Sequence, residues 1–506
     1  MSVKVLSAAV VGLDAQIVEV EADLGLGLPK TIIVGLPDMA VQEARERVKS
    51  GIRNSGAEWP TGVVTINLAP ATLRKEGSGY DLPMAVAILL ARGEVGSDWP
   101  IEQSLFIGEL SLEGGVRPVA GVLSIACLAK QKRIKELFVP AANAGEAALV
   151  NGLRIFAVRH LEDIINHLNH RQPAPLFKKK RPTRTVMEPE AMDFSFIRGQ
   201  EQAKRALEIA AAGGHNFLMT GPPGSGKTLL ARTASTILPT MNLDESLEVT
   251  KIYSVAGQLP KDTPVIHHRP FRAPHHTTSS VALVGGGSWP KPGEISLAHR
   301  GILFLDEFSE FSRQTLESLR QPLEDGVITV SRANSSVQFP ARFTLIAARN
   351  PCPCGYLNDP HQACTCSAIS VIKYQKKISG PLLDRIDIHS TVPRQEFEKI
   401  AESKQGESSA AVRERVLQAR LRQTDRFQGT ALVVNAEMSV KQIDQYCQTA
   451  PEAHALLKQA VNHFYLSARA YHRILKVSRT IADLADSGQI QAEHVAEALQ
   501  FRAQTS

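Results

Sequence analysis

The sequence has no uninterrupted apolar run near the roughly 20 residues that a membrane-spanning helix needs. Its opening, Met1-Ser2-Val3-Lys4-Val5-Leu6, carries no long apolar segment leading to a cleavage site, so no secretory leader is expected. A cytoplasmic chain without a membrane partner is the expectation. It also lacks repeats and low-complexity tracts, which argues against a solenoid or a disordered chain. Charge of one sign is nearly balanced: 57 Lys and Arg against 51 Asp and Glu leave +6. That slight excess favours an anionic partner only weakly, because solvated basic faces give the same total. Cysteine is scarce and unevenly spread. Of six, Cys127 and Cys447 stand alone and four crowd together between positions 352 and 366. In a reducing compartment such crowding points to a metal ahead of disulfides.

What is present divides into regions. A chain of 506 residues is too long for one hydrophobic core. Residues 1–170 alternate β-branched runs, such as Thr31-Ile32-Ile33-Val34 and Val63-Val64-Thr65-Ile66, with helical stretches such as Leu82 to Leu90, giving an α/β domain. Residues 171–192 hold prolines and the run Lys178-Lys179-Lys180-Arg181, expected as an exposed linker. This run is either a solvated tether or a DNA contact. A second α/β region spans 193–393, and a helical region, read as a lid, spans 394–506. There Ile474, Val477 and Ile481 recur at helical spacing.

The chemistry concentrates in the second region. Phe217-Leu218-Met219-Thr220 reads as a short strand, followed by Gly221-Pro222-Pro223-Gly224-Ser225-Gly226-Lys227-Thr228 and a helix start. This G-x-x-x-x-G-K-T between strand and helix is a phosphate loop. Its glycines turn backbone N–H groups inward and the new helix adds its positive end. Lys227 supplies charge to the β- and γ-phosphates of ATP, and Thr228 a hydroxyl to Mg²⁺. A chance match in a chain this long is on the order of 0.02. Gly301-Ile302-Leu303-Phe304-Leu305 delivers Asp306, a Mg²⁺ ligand, and Glu307, which orients and activates the attacking water. A salt-bridged strand end is the competing reading. A third strand, Phe343 to Ala348, ends near Asn350, placed to position that water.

Arg385, after the apolar turn at Leu382-Leu383, is expected to reach a neighbouring subunit's ATP; an Arg385–Asp387 surface pair is the alternative. Arg469, opening a lid helix, fits a second arginine at the γ-phosphate, with Arg473 one turn along as runner-up. Head-to-tail contacts of this kind close a ring, and a homo-hexamer is expected. Cys352-x-Cys354 and Cys364-x-Cys366 offer four thiols for a structural Zn²⁺, against free thiols, with His361 as a substitute ligand.

These motifs resemble the AAA+ clade of magnesium-chelatase motor subunits and MCM replicative helicases. The whole chain resembles the ComM/YifB family through Ile33-Val34-Gly35-Leu36-Pro37-Asp38, Asn67-Leu68-Ala69-Pro70, Arg269 to His276, Pro292 to His299 and Asn350-Pro351-Cys352-Pro353-Cys354-Gly355. The resemblance implies a hexameric DNA helicase, acting on single-stranded and branched DNA, that drives branch migration during recombination and natural transformation. It also implies a pore hairpin over 327–337, with Arg332 as its phosphate-binding cation or, alternatively, a solvent-facing arginine. The loop from Thr277 to Glu294 resembles the clade's helix-2 insertion. His275 and His276 receive no role. Residues 1–170 resemble a ribosomal-S5-like, Lon-protease-like domain. Aligned on the following helix, Gly79 rather than Ser78 stands at the nucleophile position, and Leu123 stands at the lysine position unless Lys130 substitutes. A serine without an adjacent base is a weak nucleophile, so a non-catalytic domain is expected. A motor of the magnesium-chelatase type, acting on a protein or on metal insertion, is the alternative function.

Overall fold

The computed structural model describes residues 3–96, 99–178, 192–260, 263–287, 290–332, 335–395 and 406–502. The basic run from 179, Trp289, and the hairpin tip with the Arg332 side chain lie outside the described residues. The chain forms two compact units, 1–185 with 246–266, and 186–245 with 267–506. None of the described helices is long and apolar enough to cross a membrane.

The first unit is built on a mixed sheet. Among the described residues it has seven strands, in the order Lys30–Val34, Val63–Ala69, Asp14–Gly25, Val3–Val11, Ser104–Phe106, Glu136–Pro140, Arg154–Val158. Val64, Ile66 and Leu68 are buried and alternate with more exposed neighbours, the period of two that lays one face of a strand on a core. That core is completed by the helix Asp81–Arg92, buried from Asp81 through Leu89. The helix opens on Asp81, which takes Arg47 Nε at 2.7 Å, Arg47 Nη2 at 3.1 Å and the Leu110 N–H at 3.1 Å. Loss of solvent nevertheless pushes its carboxyl up to about 6.

Two stretches differ from the sequence reading. Residues 174–177, expected in an exposed linker, continue the first unit: Ala174 is buried, the Pro175 carbonyl accepts from Ala157 N, and Phe177 N donates to the Ile155 carbonyl. The edge strand Arg154–Val158 supplies free backbone groups, and a proline at an edge forfeits no ladder bond there. The segment 246–266, inside the range read as the ATPase region, belongs to the first unit as well. There Gly121 N donates to the Ser254 carbonyl and Lys251 pairs with Asp14.

The second unit centres on a parallel sheet ordered Phe271–Arg272, Ile302–Leu305, Thr344–Arg349, Phe217–Thr220, Ile388–Thr391. Every residue of Ile302–Leu305 is buried, as expected of a strand covered on both faces. The helices Glu201–Gly213 and Lys227–Ile237, and the C-terminal Ser409–Arg426, Pro451–Phe464, Ala468–Leu484 and Ala492–Gln500, share one hydrophobic core with the sheet. An α/β fold with a parallel core sheet and a helical C-terminal region is thus the observed class. Apart from the sheet, Val327–Arg332 and Ser335–Pro340 pair as an antiparallel hairpin, with Arg332 opposite Ser335.

Candidate functional site

All strands of the core sheet run the same way, so its two ends are chemically distinct. Four of the expected site groups follow the carboxyl ends of adjacent strands: the phosphate loop after Thr220, Asp306 and Glu307 after Leu305, and Asn350 after Arg349. Ligands of open α/β sheets bind at that end. Two glycines explain the loop's path. Gly226 holds φ 88°, a left-handed conformation open to glycine, and starts the helix Lys227–Ile237. At Gly221 a Cβ would lie 2.1 Å from the Val392 carbonyl oxygen, which no larger residue could tolerate.

Within this frame Thr228 Oγ1 donates to Asp306 Oδ2 at 2.7 Å. A hydroxyl and a carboxylate converging at a helix start are the donor set of a Mg²⁺–phosphate site. Lys227 Nζ lies 2.8 and 2.7 Å from the Gly221 and Pro222 carbonyls and 3.4 Å from Asn350 Oδ1. Burial lowers its ammonium from the ordinary value, and Asp306 opposes that shift. The residues therefore fit ATP with Mg²⁺: loop amides, Lys227, Thr228 and Asp306 would hold it, with Glu307 and Asn350 at its γ end.

Glu307 has a partner that the sequence reading left without a role. Its Oε2 is 3.0 Å from His276 Nδ1, and its backbone sits at φ 50°. His276 arrives there because Phe271–Arg272 pairs directly with Ile302–Leu305. The neighbouring Arg269 and Arg272 are anchors: Arg269 forks onto buried Glu245 at 2.9 and 3.2 Å, and Arg272 onto Glu294 at 2.7 and 2.6 Å.

The arginines lie at the other end of the sheet. Arg385 and Arg469 line a cavity of about 500 Å³ whose walls include Asn216, Gly301, Thr344 and Asp387, residues at the amino ends of the strands. Four-residue strands separate the two ends by roughly 13 Å. Both arginines meet Glu324: Arg385 through Nη2, and Arg469 Nη2 at 3.5 Å. Arg385 Nη1 also donates to the Pro381 carbonyl at 2.6 Å. Arg473 Nη1 donates to the Ile386 carbonyl at 2.7 Å, tying it to the fold. Arg385 and Arg469 are thus brought together, but away from the chain's own phosphate loop. The alternative reading, an Arg385–Asp387 pair, is not what forms: Arg385 meets Glu324, while Asp387 faces His215 at 3.3 Å.

The four clustered cysteines meet. Cys352 Sγ is 3.4 Å from Cys354 Sγ and 3.6 Å from Cys364 Sγ, and Cys354 to Cys364 is 3.5 Å. A tetrahedron of sulfurs 2.3 Å from zinc has edges of roughly 3.8 Å, whereas a disulfide needs about 2.05 Å. Cys366 completes the set, its Sγ accepting the Cys354 N–H at 3.4 Å. His361 stands apart from this set. Backbone N–H groups of Tyr356 and Thr365 pull the Cys354 thiol down to about 5. A Cβ at Gly355 would lie 2.5 Å from Pro223 Cδ, so this loop abuts the phosphate loop.

In the first unit, Ser78 Oγ donates to Glu109 Oε2 rather than to a lysine. Leu123 is buried in the helix Val122–Gln131, Lys130 is exposed in that helix's last turn, and a Cβ at Gly79 would sit 3.0 Å from Ile107 Cδ1.

Three family models match the chain. The model described as Magnesium chelatase, subunit ChlI covers residues 193–400, Subunit ChlI of Mg-chelatase covers 20–143, and Magnesium chelatase, subunit ChlI C-terminal covers 406–502. Competence protein ComM of Haemophilus influenzae is 44% identical over 99% of this chain and 97% of its own length. The uncharacterized protein YifB of Escherichia coli is 42% identical over 98% and 96%. The magnesium-chelatase 38 kDa subunit of Cereibacter sphaeroides is 28% identical over 31% of this chain and 52% of its length.

Proposed function

Because this chain belongs to the ComM/YifB family of magnesium-chelatase-like AAA+ proteins, we propose that it is a cytoplasmic, ring-forming ATPase, a hexamer, that moves DNA and drives branch migration of recombination joints. The observation that carries this reading is the end-to-end similarity to a competence protein. Competence is the capacity to take up DNA, so that name supports a DNA substrate.

Bound Mg²⁺–ATP supplies the phosphoanhydride whose hydrolysis is the source of energy. The chain's own groups divide the work. Loop amides and Lys227 neutralise phosphate charge, and Thr228 with Asp306 seats the cation. Glu307 accepts the proton of the attacking water while Asn350 orients it. Arg385 and Arg469, gathered at the opposite end of the sheet, act on the ATP of the adjoining subunit. Such a heterologous contact repeats until a ring closes. The hairpin Val327–Pro340 is read as the DNA-contacting element, with Arg332 as its phosphate ligand. The four cysteines would hold a structural zinc, which would stiffen the loop between Asn350 and the helix Ala368–Gln375. The first unit is read as non-catalytic, supported by Ser78 bonding to a carboxylate and Leu123 filling the base position.

The chelatase family models favour a second reading, a remodelling motor of the magnesium-chelatase type acting on a protein or on metal insertion. One experiment separates the two. ATP turnover of the full chain should rise several-fold with single-stranded or branched DNA, and Lys227→Ala should abolish it. A flat response to DNA would favour the remodelling motor.

A further inference from the structure

Glu324 occupies an unusual place. It lies on the short helix Arg320–Asp325, which ends at Gly326 with φ 66°. The Gly326 carbonyl accepts from Ala341 N at 2.8 Å, and Val327 already pairs with Pro340. Two residues, Asp325 and Gly326, therefore separate Glu324 from the first strand of the hairpin. At its other end the same carboxylate takes Arg385 on Oε2 and Arg469 on Oε1.

The two sides of this contact differ in freedom. The Arg385 side chain is 12% exposed and fastened to the Pro381 carbonyl, whereas the Glu324 side chain is 51% exposed. The guanidinium is the fixed partner and the carboxylate the movable one. Arg385 holds the Glu324 carboxyl below the usual range, so it stays ionised. A carboxylate and a phosphoryl group present the same pair of oxygens to an arginine fork, so one set of donors serves either, but not both. As a stabilising pair in its own right, an exposed bridge contributes little.

We propose that Glu324 is a stand-in for phosphate that links the arginine pair to the DNA hairpin. When the γ-phosphate of the adjoining subunit engages Arg385 and Arg469, it displaces Glu324. The freed helix Arg320–Asp325 then pivots at Gly326 and carries the base of the hairpin with it. The hairpin of one subunit thereby reports the nucleotide state of its neighbour. Glu324 is a positioning residue and touches no substrate. This inference rests on the reading of Arg385 and Arg469 as groups acting between subunits.

The test compares full-length wild type, Glu324→Gln and Glu324→Asp for ATP turnover with and without single-stranded DNA, strand displacement per ATP, and melting temperature. Removing the competing carboxylate should raise DNA-free turnover by about two- to fivefold, the scale on which an exposed ion pair shifts an equilibrium. Stimulation by DNA should fall towards one, and strands displaced per ATP should fall severalfold. Melting should be unchanged, and Glu324→Asp, which keeps the charge, should recover part of the coupling. A Glu324→Gln protein with wild-type stimulation and displacement would overturn the inference. So would one whose DNA-free turnover collapses, because Glu324 would then support the arginines rather than compete for them. If wild type itself ignores DNA, the parent reading fails before the variants are compared.

Discussion

Glu307 stands at φ 50°, a conformation that costs a non-glycine residue on the order of 1–3 kcal/mol and persists where the surroundings over-determine it. Its carboxylate faces His276 at 3.0 Å. The proposed role of Glu307 as the base gains from a fixed orientation, which the contact with His276 would supply. His276→Ala should lower kcat for ATP by about tenfold, less than the roughly 10²–10⁴-fold that an acid–base group itself contributes, and leave KM for ATP within about twofold. His276→Asn, which can still donate to the carboxylate, should retain more of kcat. Steady-state kinetics on both variants decides, and a raised KM with kcat unchanged would place His276 in binding instead. The convergence of Lys227, Thr228, Asp306 and Asn350 at one end of the sheet was expected from the phosphate-loop motif and from apolar strands that end at or just before Asp306 and Asn350. His276 was not. It meets Glu307 only because two strands far apart in the chain lie side by side, and hydrophobic periodicity does not reveal strand order.

At the scale of elements, the cysteine loop does more than close on itself. It begins at the residue after Pro351, beside Asn350, presses Gly355 on Pro223, and ends at Ser367, which caps the helix Ala368–Gln375 through the Ser370 N–H. A metal there would stiffen two sides of the nucleotide site together. Purified protein should contain about one zinc per chain by elemental analysis. Cys352→Ser with Cys364→Ser should remove it and lower the melting temperature by at least about 4 °C, since 1 kcal/mol is worth about 2–4 °C in a domain of this size. Wild type free of zinc, or variants melting like wild type, would leave four unligated thiols. The cysteine spacing was visible in the sequence, but its contact with the phosphate loop was not. The same holds for residues 174–177 and 246–266. Proline content and position in the chain marked the first as linker and the second as ATPase core. Both are instead placed by long-range backbone bonds, to the Arg154–Val158 edge and to Gly121.

For the whole molecule, the decisive feature is the polarity of the parallel sheet. One end gathers the groups proposed to bind and cleave ATP, and Arg385 and Arg469 line a cavity at the other, the strand ends being roughly 13 Å apart. In this arrangement Arg385 and Arg469 lie away from the chain's own phosphate loop, which supports the proposal that they act between subunits. The motifs announced the ATPase chemistry and the family. They did not place the arginines relative to the phosphate loop, because that depends on the parallel order of strands and on where the helix Ala468–Leu484 packs. The central claim, that hydrolysis between subunits moves DNA, is tested most directly on a labelled three-strand joint molecule. Wild type with Mg²⁺ and ATP should drive the branch point to completion, and Lys227→Ala should be slower by on the order of 10²-fold or more. Joint molecules left untouched by wild type, or resolved equally by Lys227→Ala, would contradict the account.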